Sequence, residues 1–247
     1  MRLARKKVVL FIVEGFSEKE SLELLLSDFF GNNRQVIFEV AQGDITSDRH
    51  STQQNIKSKI TELIKSSGRK FKPADYKEVI HLVDMDAAFI SEDNIYLDPL
   101  NSKFSYRDDG VYAPNIEYVK DRNKRKQALL KFLSNTSKVY TSVPYRVFYF
   151  SCNLEHVLHN EIEVPDDLKI QYAENFQDLY IDNLKGFIDF ICNSDFSVNQ
   201  DYQESWRFIQ QDNNSIKRFT NFNIVLKDYS SYSSYHNLLE NTPASEL

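Results

Sequence analysis

Cysteine is nearly missing from this chain, with only Cys152 and Cys192 in 247 residues. Two cysteines cannot build the cross-linked framework of a small secreted scaffold. Each is flanked by residues typical of strand or helix cores, so a reducing, cytoplasmic location is expected. Long apolar runs are missing too. The run that follows Arg2, Arg5, Lys6 and Lys7 lasts six residues and stops at Glu14. It is too short for a secretory leader or a membrane span, so no membrane association is expected. A positive excess is absent as well, since the formal net charge is -6. That excludes a protein that coats nucleic acid through its overall field, and any hold on phosphates must be local, metal-bridged or supplied by a partner. No G-x-x-x-x-G-K-[ST] segment, internal repeat, base-stacking motif or recognition helix stands out.

What is present suffices for a full core: 41% of residues are hydrophobic and 27% charged, ordinary for a globular chain of this length. Two apolar runs end alike. Val8-Val9-Leu10-Phe11-Ile12-Val13 stops at Glu14-Gly15, and Val79-Ile80-His81-Leu82-Val83 stops at Asp84-Met85-Asp86. Carboxylates at the C-terminal edge of a parallel sheet are where an open α/β fold places a divalent metal and a phosphate, so an acidic metal site is expected there.

Between and beyond these runs the period alternates. Leu22, Leu25, Leu26 and Phe29 share one helix face, preceded by Ser17-Glu18-Lys19-Glu20 in capping-box form. A strand at 36–40, a helix from about Thr52 with Ile56, Ile60, Leu63 and Ile64 inward and Gly68 as its stop, and a strand at 78–83 follow. Residues 87 to about 119 read as an insertion with a hairpin near 106–112. A helix from about Arg122 carries Leu129, Leu130 and Leu133, and a fourth strand at 145–150 ends at Ser151-Cys152-Asn153 before a helix begins at Leu154-Glu155. This alternation predicts an α/β fold, a parallel sheet of about four strands flanked by helices with right-handed crossovers, over residues 1–163. Over 164–247 a stripe of Phe176, Tyr180, Leu184, Phe187, Ile188 and Ile191, then Tyr202, Trp206 and Ile209, then Ile216 and Phe219, predicts a C-terminal helical extension. Its Tyr/Ser stretch at 229–235 and polar end from Asn241 are expected to fray.

The ordered pair Val13-Glu14-Gly15-Phe16-Ser17-Glu18 and Val83-Asp84-Met85-Asp86 resembles the first two motifs of the TOPRIM domain of topoisomerases, bacterial primases and overcoming-lysogenization-defect nucleases. The chain is most similar to TOPRIM proteins of bacterial anti-phage and abortive-infection systems, whose third acidic motif would fall at 151–155. The likeness covers roughly residues 7–160. It implies a TOPRIM (Rossmann-like) fold and a divalent-metal-dependent nuclease acting in antiviral defence. It further implies one or two Mg²⁺ or Mn²⁺ ions on Glu14, Asp84, Asp86 and Glu155, with Glu14 and Glu18 in acid/base or metal-binding work. Two ions about 4 Å apart activate a water and stabilise the leaving oxygen of a phosphodiester. The chain lacks both a P-loop and a primase-type zinc ribbon, so control is expected from a second defence subunit such as an ATPase, or from a homodimer through residues after Pro165. The substrate, DNA or RNA, stays open.

Each residue also has a plainer use. Glu18 and Glu20 fall in a first helical turn, where the macrodipole favours acids. Aspartates such as Asp84 and Asp86 can cap helices, Glu155 can be a solvated helix residue, and Asp44 reads as an Asx turn. His156 and His159 share a helix face, but too few partners accompany them for zinc. The run from Lys120 to Lys126 has the composition of a solvated helix face. Its place ahead of the fourth strand makes Lys124, Arg125 and Lys126 the candidate contacts to a nucleic-acid backbone. Two rival functions remain: a non-catalytic TOPRIM-like sensor or scaffold, and a haloacid-dehalogenase-like phosphatase with Asp84 as nucleophile, against which Ala88 stands where that family carries threonine or valine.

Overall fold

A computed structural model describes residues 7–31, 35–41, 43–66, 71–100 and 103–230. The chain runs β1 (Val8–Val13), α1 (Phe16–Phe30), β2 (Gln35–Val40), α2 (Ile56–Ser66), β3 (Tyr76–Asp84), β4 (Ile95–Leu97), β5 (Ser105–Arg107) and β6 (Gly110–Ala113). It continues through α3 (Ile116–Ser134), β7 (Lys138–Val139), β8 (Val143–Phe150), α4 (Leu154–His159), α5 (Lys169–Tyr180), α6 (Leu184–Asn193), α7 (Tyr202–Ile209) and α8 (Asn223–Tyr229).

Every residue of β1 is buried, as befits a strand covered on both faces. Successive side chains point to opposite faces. Val9, Phe11 and Val13 therefore enter one core, with α1, α4, α5, α6 and α8, while Val8, Leu10 and Ile12 enter another, with α2, α3 and α7. The sheet order is β2-β1-β3-β8-β7, parallel except for the last pair. The protein thus has an α/β fold with a five-strand, mostly parallel sheet flanked by helices and a C-terminal helical region. Because α1 leaves β1 toward one face and α3 leads from β3 to β8 across the other, the adjacent ends of β1 and β3 form a topological switch point. Open sheets place their ligand crevice there.

Several local expectations change. Helix α1 starts at Phe16 with Gly15 as its N-cap and no side-chain cap bond, so Ser17 and Glu20 lie inside the helix and form no capping box. Helix α2 starts at Ile56, because Thr52 and Asn55 close a turn of their own, with the Thr52 amide donating to Asn55 Oδ1 at 2.8 Å. The expected hairpin is β5–β6, and β4 adds to it in parallel. A Cβ at Gly110 would lie 2.1 Å from the Asn94 carbonyl oxygen, so only glycine fits that crossing. Helix α3 begins at Ile116, earlier than expected, where Asn115 Oδ1 accepts from the Tyr118 amide at 3.0 Å.

The C-terminal helices are not an appendage. Phe176, Phe187, Phe222, Val225 and Leu226 share the core of Phe11, and Trp206 and Ile209 that of Leu10. The single stripe expected over 176–191 is two helices, parted where Asn183 Oδ1 accepts from the Gly186 amide at 3.0 Å. Ile216 and Phe219 lie outside helices, in a segment whose Ser215 and Phe219 carbonyls accept from the Cys152 and Ser151 amides at 3.1 and 2.8 Å. Gly68 and the polar end from Asn241 fall outside the described residues. Among the described residues no helix is long and apolar enough to cross a membrane.

Candidate functional site

Glu14 follows β1 and Asp84 ends β3, so two neighbouring strands deliver one carboxylate each to the switch point. A Cβ on Gly15 would stand 2.9 Å from Glu18 Oε2; the glycine leaves room for Glu18 to fold back toward the strand end. Glu18 is buried, and Ser17 Oγ donates to its Oε2 at 3.3 Å. Glu155 lies in the first turn of α4, whose N-cap Asn153 accepts from the His156 amide at 2.8 Å. It is 3% exposed.

Asp84 stands among the other three, and each of them repels it. Burial pushes the Glu14 carboxyl well up; Asp44, Asp84 and Asp86 add to this, and Lys126 opposes it. Burial also raises Asp84 well above the usual carboxylate range, followed by the charges of Glu18, Glu155 and Asp86. Glu18 is raised by burial and by Glu155, against its backbone hydrogen bond. Glu14 Oε1 and Glu155 Oε1 are sealed from solvent without a hydrogen-bond partner. Lys169 Nζ, at the start of α5, lies 3.9 Å from Glu155 Oε1. Glu14, Glu18, Asp84, Asp166 and Lys169 line a cleft of about 350 Å³.

Asp86 belongs to a different arrangement. Lys126 is fully buried on α3, and its Nζ donates to Asp86 Oδ2 at 2.5 Å and to Asp44 Oδ2 at 2.6 Å. Asp44 also makes the expected Asx turn, its Oδ1 accepting from the Thr46 amide and hydroxyl at 2.7 and 2.6 Å. Burial works to raise its carboxyl, but the Lys126 charge and these hydrogen bonds hold it well below the usual range. Asp86 and Ala87 take left-handed φ values of 48° and 54°, a conformation unfavourable for residues with a Cβ. Helix α3 clamps this turn. Arg122 Nη2 donates to the Asp86 carbonyl at 2.7 Å and Nη1 to Tyr106 Oη at 2.8 Å, while Gln127 Nε2 donates to the Ala88 carbonyl at 2.6 Å.

The expected ligand set of Glu14, Asp84, Asp86 and Glu155 is therefore divided, because the Lys126 ammonium already serves Asp86. The expected basic contact is divided too. Lys124 is exposed, in a groove between α3 and the insertion where Lys120 pairs with Glu92 and Glu117. Arg125 is half-buried, and Lys126 has no surface to offer a backbone. His159 packs edge-on against Tyr172 and Phe176.

Among the described residues no group of three or more His, Cys, Asp and Glu is arranged as a ready metal cage. What does fit a hard divalent cation is the donor chemistry, carboxylate oxygens only, with two sealed oxygens lacking hydrogen bonds in the same neighbourhood. The sequence reading missed Lys169, Arg122 and Tyr106. Lys169 follows the insertion-free stretch after α4 with no motif around it. Arg122 and Lys126, by contrast, keep phase with Val119, Leu129 and Leu133 on α3, and that phase was a usable sign of burial. In comparisons with known proteins the chain matches no family model, no curated protein and no solved structure.

Proposed function

We propose that this protein is a divalent-metal-dependent phosphodiester hydrolase acting on nucleic acid, with a TOPRIM-like disposition of its acidic residues and a role as effector in a bacterial anti-phage system. One observation carries the reading: at the switch point Glu14, Glu18 and Asp84 line a cleft, with Glu155 buried beside them, and two of their oxygens are sealed without a hydrogen bond. Such a group is costly unless a cation joins it. Glu14 and Asp84, with Glu18 and Glu155, would hold Mg²⁺ or Mn²⁺. Bound there, the ion supplies a Lewis acid for a phosphoryl oxygen and a water acidic enough to attack at neutral pH. The chain's own part is to fix the carboxylates on two strand ends and two helix starts and to set the Lys169 ammonium at the cleft wall, where it can meet a phosphate oxygen. The role in defence and a second subunit rest on the motif resemblance, and the cytoplasmic location on the scarcity of cysteine.

Calorimetry with Mn²⁺ on the wild type and on Asp84→Asn, together with cleavage assays on single-stranded DNA, duplex DNA and tRNA in Mn²⁺ or EDTA, tests this. Wild type should bind Mn²⁺ and cleave at least one substrate, and Asp84→Asn should lose both. A wild type that binds no Mn²⁺ would overturn the reading. A second reading, a non-catalytic rim for a partner protein, is favoured by the Lys126 ammonium, which already engages two of the carboxylates of the acidic edge. Mn²⁺ binding without cleavage of any of the three substrates would select it.

A further inference from the structure

We infer that Lys126 is a built-in cation that permanently occupies the place between Asp44 and Asp86, acting as a positioning residue that restricts the crevice to a single divalent ion on the Glu14 and Asp84 side. The inference rests on the reading of the crevice as a divalent-ion site. Three observations support it. First, the side chain reaches across from α3 and joins carboxylates from two different strand ends, Asp44 after β2 at 2.6 Å and Asp86 after β3 at 2.5 Å, with none of the lysine exposed. A sealed ammonium between two carboxylates is held by both and has no hydration shell of its own, so it does not leave readily. Second, the turn that presents Asp86 is held from the same helix by Arg122 and Gln127 through the Asp86 and Ala88 carbonyls. Asp86 is thus fixed toward Lys126 by backbone as well as side chain. Third, the oxygens left without hydrogen bonds, Glu14 Oε1 and Glu155 Oε1, belong to the other carboxylates, while Asp44 Oδ2 and Asp86 Oδ2 are both engaged.

The consequence separates two aspartates that stand two residues apart. Asp84 is a ligand and Asp86 is an anchor for the lysine. A site that would accept two ions by its carboxylate number accepts one, because the second position is filled by the protein itself.

The test counts Mn²⁺ ions by electron paramagnetic resonance titration and calorimetry on the full chain. Wild type should bind one ion. Asp84→Asn should lose it, while Asp86→Asn, which leaves Lys126 on Asp44, should bind it within about threefold of wild type. Lys126→Ala should bind one ion more than wild type, and its melting temperature should rise on adding Mn²⁺ by more than that of the wild type. If Lys126→Ala does not fold in EDTA, recovery of its circular dichroism with Mn²⁺ supports the inference and failure to recover overturns it. Two ions in wild type, loss of the ion in Asp86→Asn, or an unchanged count in folded Lys126→Ala would each overturn it. The proposed function fails separately: a wild type that binds one Mn²⁺ but cleaves none of the three nucleic-acid substrates would sink the hydrolase reading and keep the built-in cation, whereas a wild type that binds none overturns both.

Discussion

The acidic edge of this sheet has two halves that meet at β3 and differ in what answers their charge. On one side Asp44 and Asp86 close on a buried ammonium. On the other Glu18, Asp84 and Glu155 act on one another, with Lys169 at 3.9 Å from Glu155 as a cation of the cleft wall, while Glu14 stands between the halves, opposed by Asp44, Asp84 and Asp86 and answered by Lys126. The first half is finished as a piece of structure. The second stores electrostatic cost, visible in three carboxyl groups pushed above their usual range by burial and then by their neighbours. The paired half holds the crevice in shape, and the repelling carboxylates are those on which the proposed ion binding depends.

The sharpest way to break this comparison is to remove one charge from each half. Lys126→Ala leaves the partly buried Asp44 and Asp86 without their cation and should cost about 3 kcal/mol in urea denaturation in EDTA. Asp84→Asn relieves repulsion and should leave stability unchanged or raise it by about 1 kcal/mol. Equal losses in the two variants would mean that the halves are not different in kind.

A next effect comes from His81, buried behind the compensated pair with its Nδ1 2.8 Å from Tyr145 Oη. Burial holds its pKa at about 4, while the opposing fields of Asp44 and Lys126 partly offset each other. The unfolded chain takes up this proton near pH 6.5 and the folded chain only near 4, so stability falls as pH drops through that window, by about 3 kcal/mol at its lower end. The pH profile of His81→Gln should lack this part of the slope when subtracted from that of the wild type. Identical profiles would show that His81 does not stay neutral in the fold.

Arg122 tests how much the left-handed turn depends on α3. Arg122→Lys keeps the charge but cannot serve the Asp86 carbonyl, Tyr106 Oη and Asn123 Oδ1 together, and should cost about 1–3 kcal/mol by denaturation. A neutral result would leave Lys126 as the main tie on that turn. The smallest effect belongs to Lys124, exposed outside both halves. Lys124→Gln should change stability by no more than about 0.5 kcal/mol. If Lys124 touches a phosphate, the log-log salt slope of nucleic-acid binding falls by about 0.9 on duplex DNA. An unchanged slope returns this lysine to the solvated helix face.

Much of this was written in the sequence because it depends on local period and local ends. The two-sided burial of β1 follows from its unbroken apolar run, the strand ends at Glu14 and Asp84 from the carboxylates that stop the runs, and the Asx turn of Asp44 from a short side chain followed by its own amides. Helix α8 was not legible, since it turns on where apolar residues find a core, and the break between α5 and α6 was hidden by the unbroken apolar spacing although Asn183 caps α6 locally. Lys126 marks the boundary most clearly. Composition places it in a basic run, which reads as a solvated face, while its phase with Val119, Arg122, Leu129 and Leu133 on one face of a helix carries the sign of its burial. What it meets there depends on the order of the strands. Its partners stand 82 and 40 residues away, on strand ends brought beside α3 by the order of the sheet, and an ion pair over that separation is fixed by topology, which no local pattern encodes.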